Sequence, residues 1–254
     1  MEFFITIYNV LLFQPIFNGL ILLWQNVPGQ DFGVAVILLT VIVRLISYPL
    51  GAKAIKAQKK FADLQPKIKE IQERFKNKRE EQTKAMAALF REANMNPFAS
   101  FAPFFIQIPI FIVLYHTFSG GFDAERFSLL YSFVEAPEQL NTWFLGLINL
   151  NARFFPLALG AGALQFLRLK QMEGKGKKEQ KNKEKKSGGK PDFSSIVQKQ
   201  MLYILPVIIV WIASTLPAAF GLYIITTTVF DMWQQWFISK RESRKAAQAE
   251  PKTP

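Results

Sequence analysis

Apolar and charged residues occupy separate long blocks along this chain. The clearest apolar block is 32–52, FGVAVILLTVIVRLISYPLGA, whose one charge is Arg44; Asp31 precedes it and Lys53 follows it. Read as one helix, its 21 residues reach about 31 Å, close to the thickness of a bilayer core. Four further apolar runs follow, at 97–118, 154–169, 196–215 and 217–238. Pro97, Pro103 and Pro109 punctuate the second run, and Gln107 is its interior polar residue. The third carries Ala158, Gly160, Ala161 and Gly162 as small packing residues, with Gln165 near its inner end, ahead of Arg168. Leu216-Pro217 marks a tight connection between the last two runs, and Asp231 lies near the inner end of the fifth.

The polar intervals have patterns of their own. Residues 3–27 are apolar but are interrupted by Asn9, Gln14, Pro15, Asn18 and Gln25. Pro15 divides them into two pieces short for spanning, so 1–30 is expected to hold an amphipathic helix in the outer interface, with PGQD (28–31) as a turn. In 53–96, Phe61, Leu64, Ile68, Ile71 and Phe75 step by 3, 4, 3 and 4, a heptad seam. Lys76-Asn77-Lys78 reads as a turn, and Met86, Leu89, Phe90 and Ala93 as a second apolar stripe. An antiparallel helical hairpin fits both stripes, with Pro66 expected to kink the first helix or start a new segment. Segment 119–153 reads as an external loop, whose apolar residues from Trp143 extend the third span or lie in the interface. Residues 170–195 are rich in Lys, Gly and Ser and read as a flexible, disordered loop. Residues 239–254 form a basic tail.

Charge orients the blocks. No Lys or Arg precedes Arg44, whereas 12 fall in 53–96, 2 in 119–153, 11 in 168–199 and 5 in the tail. Basic and basic-poor intervals alternate as five spans require, with the N-terminus outside and the C-terminus cytoplasmic. The net charge of +12 suits anionic partners such as ribosomal RNA, acidic proteins or lipid headgroups. The 25 phenylalanines suit lipid and interfacial contact. The absence of Cys excludes disulfides and thiol chemistry, and a single His, His116, cannot build a histidine metal site. No basic n-region opens the chain, so a cleaved signal peptide is not expected.

Arg44 is the candidate centre of function. An Arg in mid-span costs about 2.5–3.5 kcal/mol on insertion scales. Snorkelling towards Lys53 would require reaching about 13 Å along the helix, more than the side chain comfortably spans. Arg44 is therefore expected to face a wet cavity within the membrane. Gln107 and Gln165 are candidate polar linings; otherwise Gln107 bonds a carbonyl freed by proline and Gln165 sits in the interface. Thr226, Thr227 and Thr228 either line the same cavity or bond their own helix four residues back. Tyr223 reads as packing and His116 as an outer-interface residue. Asp231 calls for a cation whose identity the sequence leaves open.

Four segments in order resemble the YidC/Oxa/Alb family of membrane-protein insertases: LTVIVRLISYPL (39–50), LQPKIKEIQERFK (64–76), NPFASFAPFFIQIPIFIVLY (96–115) and LPAAFGLYIITTTVFDMWQQ (216–235). The likeness covers roughly residues 9–240. The chain resembles a short form without the large extracytoplasmic domain of Gram-negative members. Two features depart from the family pattern: Ile224 stands where a Trp usually follows the Leu222-Tyr223 pair, and Thr228 replaces a mid-helix Asn. Trp233 and Trp236 read as an interfacial belt.

The resemblance implies an all-α integral protein of the bacterial inner membrane. It would have five transmembrane helices, a cytoplasmic antiparallel hairpin and an N-terminal interfacial helix. It implies an insertase that receives nascent membrane proteins in a hydrophilic groove lined by Arg44, Gln107, Gln165, Thr227 and Thr228. Their apolar segments then pass into lipid without catalysis, nucleotide hydrolysis, cofactor or metal; the chain has no GxxxxGK[ST] phosphate loop. The ribosome, the signal-recognition machinery, the Sec translocon and membrane lipids are the partners it implies. A small-anion transporter would also use an intramembrane Arg, but the unequal spans show no internal repeat. An intramembrane enzyme finds no His/Cys/Asp cluster or Ser-Lys pair within the spans. A scaffold for assembling membrane complexes remains a third reading.

Overall fold

The computed structural model describes residues 6–76, 78–96, 102–119, 124–173 and 193–249. Residues 174–192 of the loop expected to be disordered, the start of the second apolar run at 97–101, Asn77 of the hairpin turn and the last tail residues, 250–254, lie outside them. Among the described residues, the regular elements are helices and one small β-hairpin. Its helices are α1 (Thr6–Asn26), α2 (Phe32–Ile46), α3 (Tyr48–Arg74), α4 (Arg79–Glu92), α5 (Ala102–Ser119), α6 (Ala124–Phe127), α7 (Phe155–Glu173), α8 (Phe193–Thr215) and α9 (Ala218–Ala249). The strands β1 (Trp143–Phe144) and β2 (Ile148–Asn149) lie between α6 and α7. Two compact units result: Met1–Ile46 with Ile108–Trp233, and Ser47–Gln107 with Gln234–Pro254.

Three breaks fall elsewhere than the residue pattern predicts. Pro15 does not divide α1. A π-helical turn, Asn9–Phe13, precedes it, and the Gln14 N–H reaches back to the Asn9 carbonyl, so the widened turn accommodates the proline ring. Among the described residues, α1 is the one helix long and apolar enough by itself to cross a membrane. Conversely, the apolar run 32–52 is not one helix. It breaks at Ser47 (φ −82°, ψ 0°), and Pro49 lies in the first turn of α3, where a missing N–H costs nothing. Arg44 therefore stands in the last turn of α2, beside carbonyls that favour a cation. Pro66 neither starts a segment nor ends one, since α3 runs through it.

In the first unit, the hairpin holds helix ends together. β1 and β2 are antiparallel, pairing Trp143 with Asn149 and Phe144 with Ile148. The turn places Leu145 (φ 51°) and Gly146 (φ 67°) in the left-handed region, and Leu147 N–H closes on Phe144 O at 3.0 Å. Residues from Trp143 onward thus form a hairpin rather than extending α7. Asp31 ties this turn to α2: Oδ1 caps the helix by accepting from Val34 N–H at 2.9 Å, and Oδ2 accepts from Leu145 N–H. A Cβ on Gly33 would fall 2.1 Å from the Phe144 ring, so only glycine admits that ring. Beyond β2, the Leu150 and Ala152 carbonyls accept from Ala219 N–H at 3.0 Å and Ala218 N–H at 2.8 Å. Two otherwise orphaned donors at the start of α9 are satisfied in this way.

The helices then pack through small residues. A Cβ on Gly162 would lie 2.2 Å from Val210 Cγ2 and 3.1 Å from Pro206 O, and Phe166 meets Tyr203. These pairs run α7 antiparallel to α8. Gly221 faces Leu157 and Gly160 faces Ile225, so α9 lies parallel to α7. α8 turns an apolar stripe outward through Tyr203, Ile204, Val207, Ile208 and Trp211. At the other side, Phe13, Phe17 and Ile21 of α1 form a buried cluster with Val113 and Val134. Buried Asn18 donates to Leu129 O at 3.2 Å and accepts from Tyr131 N–H at 2.6 Å, and Gln25 donates to Glu135 O at 2.6 Å. The 129–135 segment is thereby laced along α1. Tyr8 Oη and His116 Nδ1 are 3.0 Å apart.

In the second unit α3 and α4 are antiparallel. Phe61 and Phe90 stack at 6.3 Å, Lys60 Nζ donates to Asn94 O at 3.3 Å, and Gln82 donates to Gln72 O at 3.3 Å. Ile68 and Leu89 are buried between the two helices' apolar stripes. Buried Gln234 donates to Tyr48 O at 3.0 Å and packs on Gly51, and Lys240 Nζ lies 4.8 Å from the Trp236 ring centre.

The glycine contacts make a comparative prediction. Gly162→Ala overpacks the α7–α8 contact and should lower unfolding stability by about 1–3 kcal/mol. At Gly160, where the nearest side-chain atom would be 3.5 Å from the new Cβ, the same change should be neutral or stabilising, because Ala favours a helix by up to about 1 kcal/mol. Thermal midpoints of the two variants in detergent check this; equal midpoints would contradict the packing argument.

Candidate functional site

Arg44 is not solitary in the folded chain. Its Nη1 lies 3.2 Å from Asp231 Oδ1, and Arg168 Nη1 lies 3.0 Å from Asp231 Oδ2. One carboxylate from α9 thus bridges guanidiniums from α2 and α7. The cation that Asp231 calls for is two cations. The side chains are 14% (Arg44), 24% (Arg168) and 11% (Asp231) exposed, so all three are largely withdrawn from solvent, and Arg168 is the most open.

Helix register brings these groups to one level. Arg44 lies 12 residues beyond Phe32, the first residue of α2. Arg168 lies 13 beyond Phe155, and Asp231 lies 13 beyond Ala218. Each is about 18–20 Å along its helix. The helix starts are held level by the hairpin contacts of Asp31, Leu150 and Ala152. One turn nearer those starts, Thr228 Oγ1 and Gln165 Oε1 are 3.3 Å apart, continuing the parallel contact of α7 and α9.

The other candidates separate. Thr227 is buried, and its Oγ1 has no hydrogen-bond partner among the described residues. Thr226 bonds its own helix, donating to Leu222 O at 2.9 Å. Tyr223 is buried beside Phe220. Gln107 is half-buried and belongs to the second unit.

Sequence reasoning expected a cation for Asp231 but did not identify Arg44 or Arg168 as its partners, and it left Arg168 and Asp231 out of the groove set. The available signal was one acid inside the last apolar run and one base at the end of another. Opposite charges embedded in apolar helices have strong reason to pair.

A family model described as 60Kd inner membrane protein matches residues 23–246. The chain belongs to this family, the YidC/Oxa family. The matched YidC/Oxa region contains both arginines, Asp231, and the hairpin that levels their helices. Among curated YidC/Oxa relatives, the membrane protein insertases YidC of Francisella philomiragia subsp. philomiragia and of Francisella tularensis subsp. novicida are each 29% identical over 210 residues. The alignments cover 83% of this chain and 33% of each relative. The chain therefore spans about a third of the length of those YidC proteins.

Removing the shared carboxylate takes the anion from between two guanidiniums. Asp231→Ala should cost about 3–5 kcal/mol of stability. Thr228→Val, which loses one neutral hydrogen bond, should cost about 1 kcal/mol. Denaturant or thermal unfolding of the two solubilised variants measures the difference, and similar losses would mean that the ion triad contributes little.

Proposed function

We propose that this chain is a membrane-protein insertase that takes nascent membrane proteins into a hydrophilic intramembrane groove and releases their apolar segments into lipid. The observation that carries the proposal is the site's charge within a YidC/Oxa-family chain: two guanidiniums share one carboxylate, leaving a formal +1. A passenger's polar tail must cross an apolar slab. Polar groups set into that slab shorten the dry path, and a net cation draws an acidic tail towards it. The apolar segment then gains roughly 0.3–0.6 kcal/mol per Leu, Ile, Phe or Val as it enters lipid. The step forms no covalent bond and uses no nucleotide. Arg44 is the central groove residue in this reading, with Gln107, Gln165, Thr227 and Thr228 as polar lining.

The reading includes a five-span protein of the inner membrane, with spans at 31–52, 97–118, 154–169, 196–215 and 217–238, the N-terminus outside and the C-terminus in the cytoplasm. The loop-charge alternation supports it. With the helix starts at the outer face in this reading, the triad's distance of about 18–20 Å from them corresponds to the inner half of a core about 30 Å thick. The exposed apolar stripe of α8 suits lipid contact. α1 lies in the outer interface: Asn18 and Gln25 bind it to the external 129–135 segment, and Tyr8 joins it to His116 at the outer end of α5. The basic hairpin suits the ribosome and the signal-recognition machinery, and a Sec translocon is a further partner of such an insertase.

In liposomes, the pure chain should insert a single-span protein with a short acidic external tail. Arg44→Ala should reduce that insertion about tenfold, corresponding to one charge-assisted contact of roughly 1.5 kcal/mol, and Arg44→Lys should largely restore it. Equal insertion by Ala and wild type, for acidic and neutral tails alike, would rule out a role for the groove charge; anion uptake without insertion would favour a transporter. For α1, a cysteine replacing Ile5 should react with an impermeant thiol reagent in intact cells. Reaction only after lysis would mean that α1 crosses the membrane.

A further inference from the structure

The ion triad has more donors than its carboxylate uses. Asp231 faces the two guanidiniums through different oxygens, Oδ1 towards Arg44 at 3.2 Å and Oδ2 towards Arg168 at 3.0 Å. A guanidinium carries five N–H donors in a planar fork. On Arg168 the Nε–H is buried and has no hydrogen-bond partner among the described residues, while the side chain as a whole is the most exposed of the three. One turn away, Gln165 and Thr228 are neutral and are engaged with each other. The three ionised side chains sum to +1, in surroundings where an uncompensated charge is costly.

We propose that Arg168 is a second anion-binding residue of this site, and that Asp231, by neutralising one of the two guanidiniums, sets its capacity at a single carboxylate of the passenger. This rests on the insertase reading above. The ligand class is an Asp or Glu side chain in the translocated tail. The first such group finds a net cation and the exposed part of the Arg168 side chain. A second meets a site already neutral and gains little. Asp231 therefore acts on specificity through the charge it cancels, as a positioning residue that also holds the two forks apart.

The test uses the full chain in vesicles of phosphatidylethanolamine and phosphatidylglycerol, with three single-span passengers carrying no, one or two aspartates in the tail. Protease-protected passenger is the readout, expressed as one-acid over no-acid and two-acid over one-acid ratios. The parent should favour one acid over none, with no further gain from the second. Arg168→Gln brings the formal charge to zero and should drop the first ratio about fivefold. Asp231→Asn brings it to +2 and should raise the second ratio about fivefold over the parent. The double variant, Arg168→Gln with Asp231→Asn, restores a formal +1 carried by Arg44 and should return both ratios to within about twofold of the parent.

An unchanged two-acid ratio in Asp231→Asn, or a double variant that stays as impaired as Arg168→Gln, would overturn the capacity rule while leaving the insertase reading intact. Should the single variants fail to accumulate, the double variant decides alone: parental ratios support the rule and flat ratios overturn it. Failure of the parent to insert even the no-acid passenger would remove the insertase reading, and this inference with it.

Discussion

One carboxylate shared by two guanidiniums is the interaction on which the rest of this structure turns. Asp231 draws α2 and α7 to α9 through side chains largely withdrawn from solvent, where each charge alone would be unfavourable. The counts are unequal: two cations and one anion give the three side chains a formal +1. A fully neutral triad would be a structural clamp.

The charges meet because their helices begin together. Asp31 caps α2 with one oxygen and holds the strained Leu145 turn with the other. Just past the hairpin, the Leu150 and Ala152 carbonyls cap α9, and α7 starts three residues later. With a rise of about 1.5 Å per residue, helices that start level and carry their charges after 12 or 13 residues must bring those charges level too. The glycines of α7 and α9 then let the backbones approach closely enough for side chains of ordinary length to touch. A few polar contacts at one end of the first unit thus position chemistry at the other.

Much of the local architecture was legible in the residue pattern, because helical periodicity is a local property. The 61, 64, 68, 71, 75 spacing marks the face that α3 buries against α4, and Lys76 and Lys78 fall between the two helices. The breaks were less legible. Pro15 reads as a divider, yet a π turn accommodates it. Pro49 reads as part of a continuous span, yet it opens a new helix and leaves Arg44 in the last turn of the old one. A proline states only that one N–H is missing and one turn is crowded; whether the chain bends, widens or restarts depends on what packs around it. The hairpin at 143–149 was hidden for a related reason. Its turn sets a leucine at positive φ and is held by Asp31, more than a hundred residues earlier in the chain.

What the sequence determined by itself is the segregation of charge and apolarity: helices throughout, a basic helical hairpin, and rare polar residues embedded in apolar runs, in an order that resembles one family. These follow from composition and short-range spacing. What only the tertiary structure decided is which embedded charges are neighbours. Arg44, Arg168 and Asp231 are separated by 124 and 63 positions, and no periodicity links them. Their union depends on the relative start and direction of three helices, and those are set by long-range caps and by close contacts at glycine.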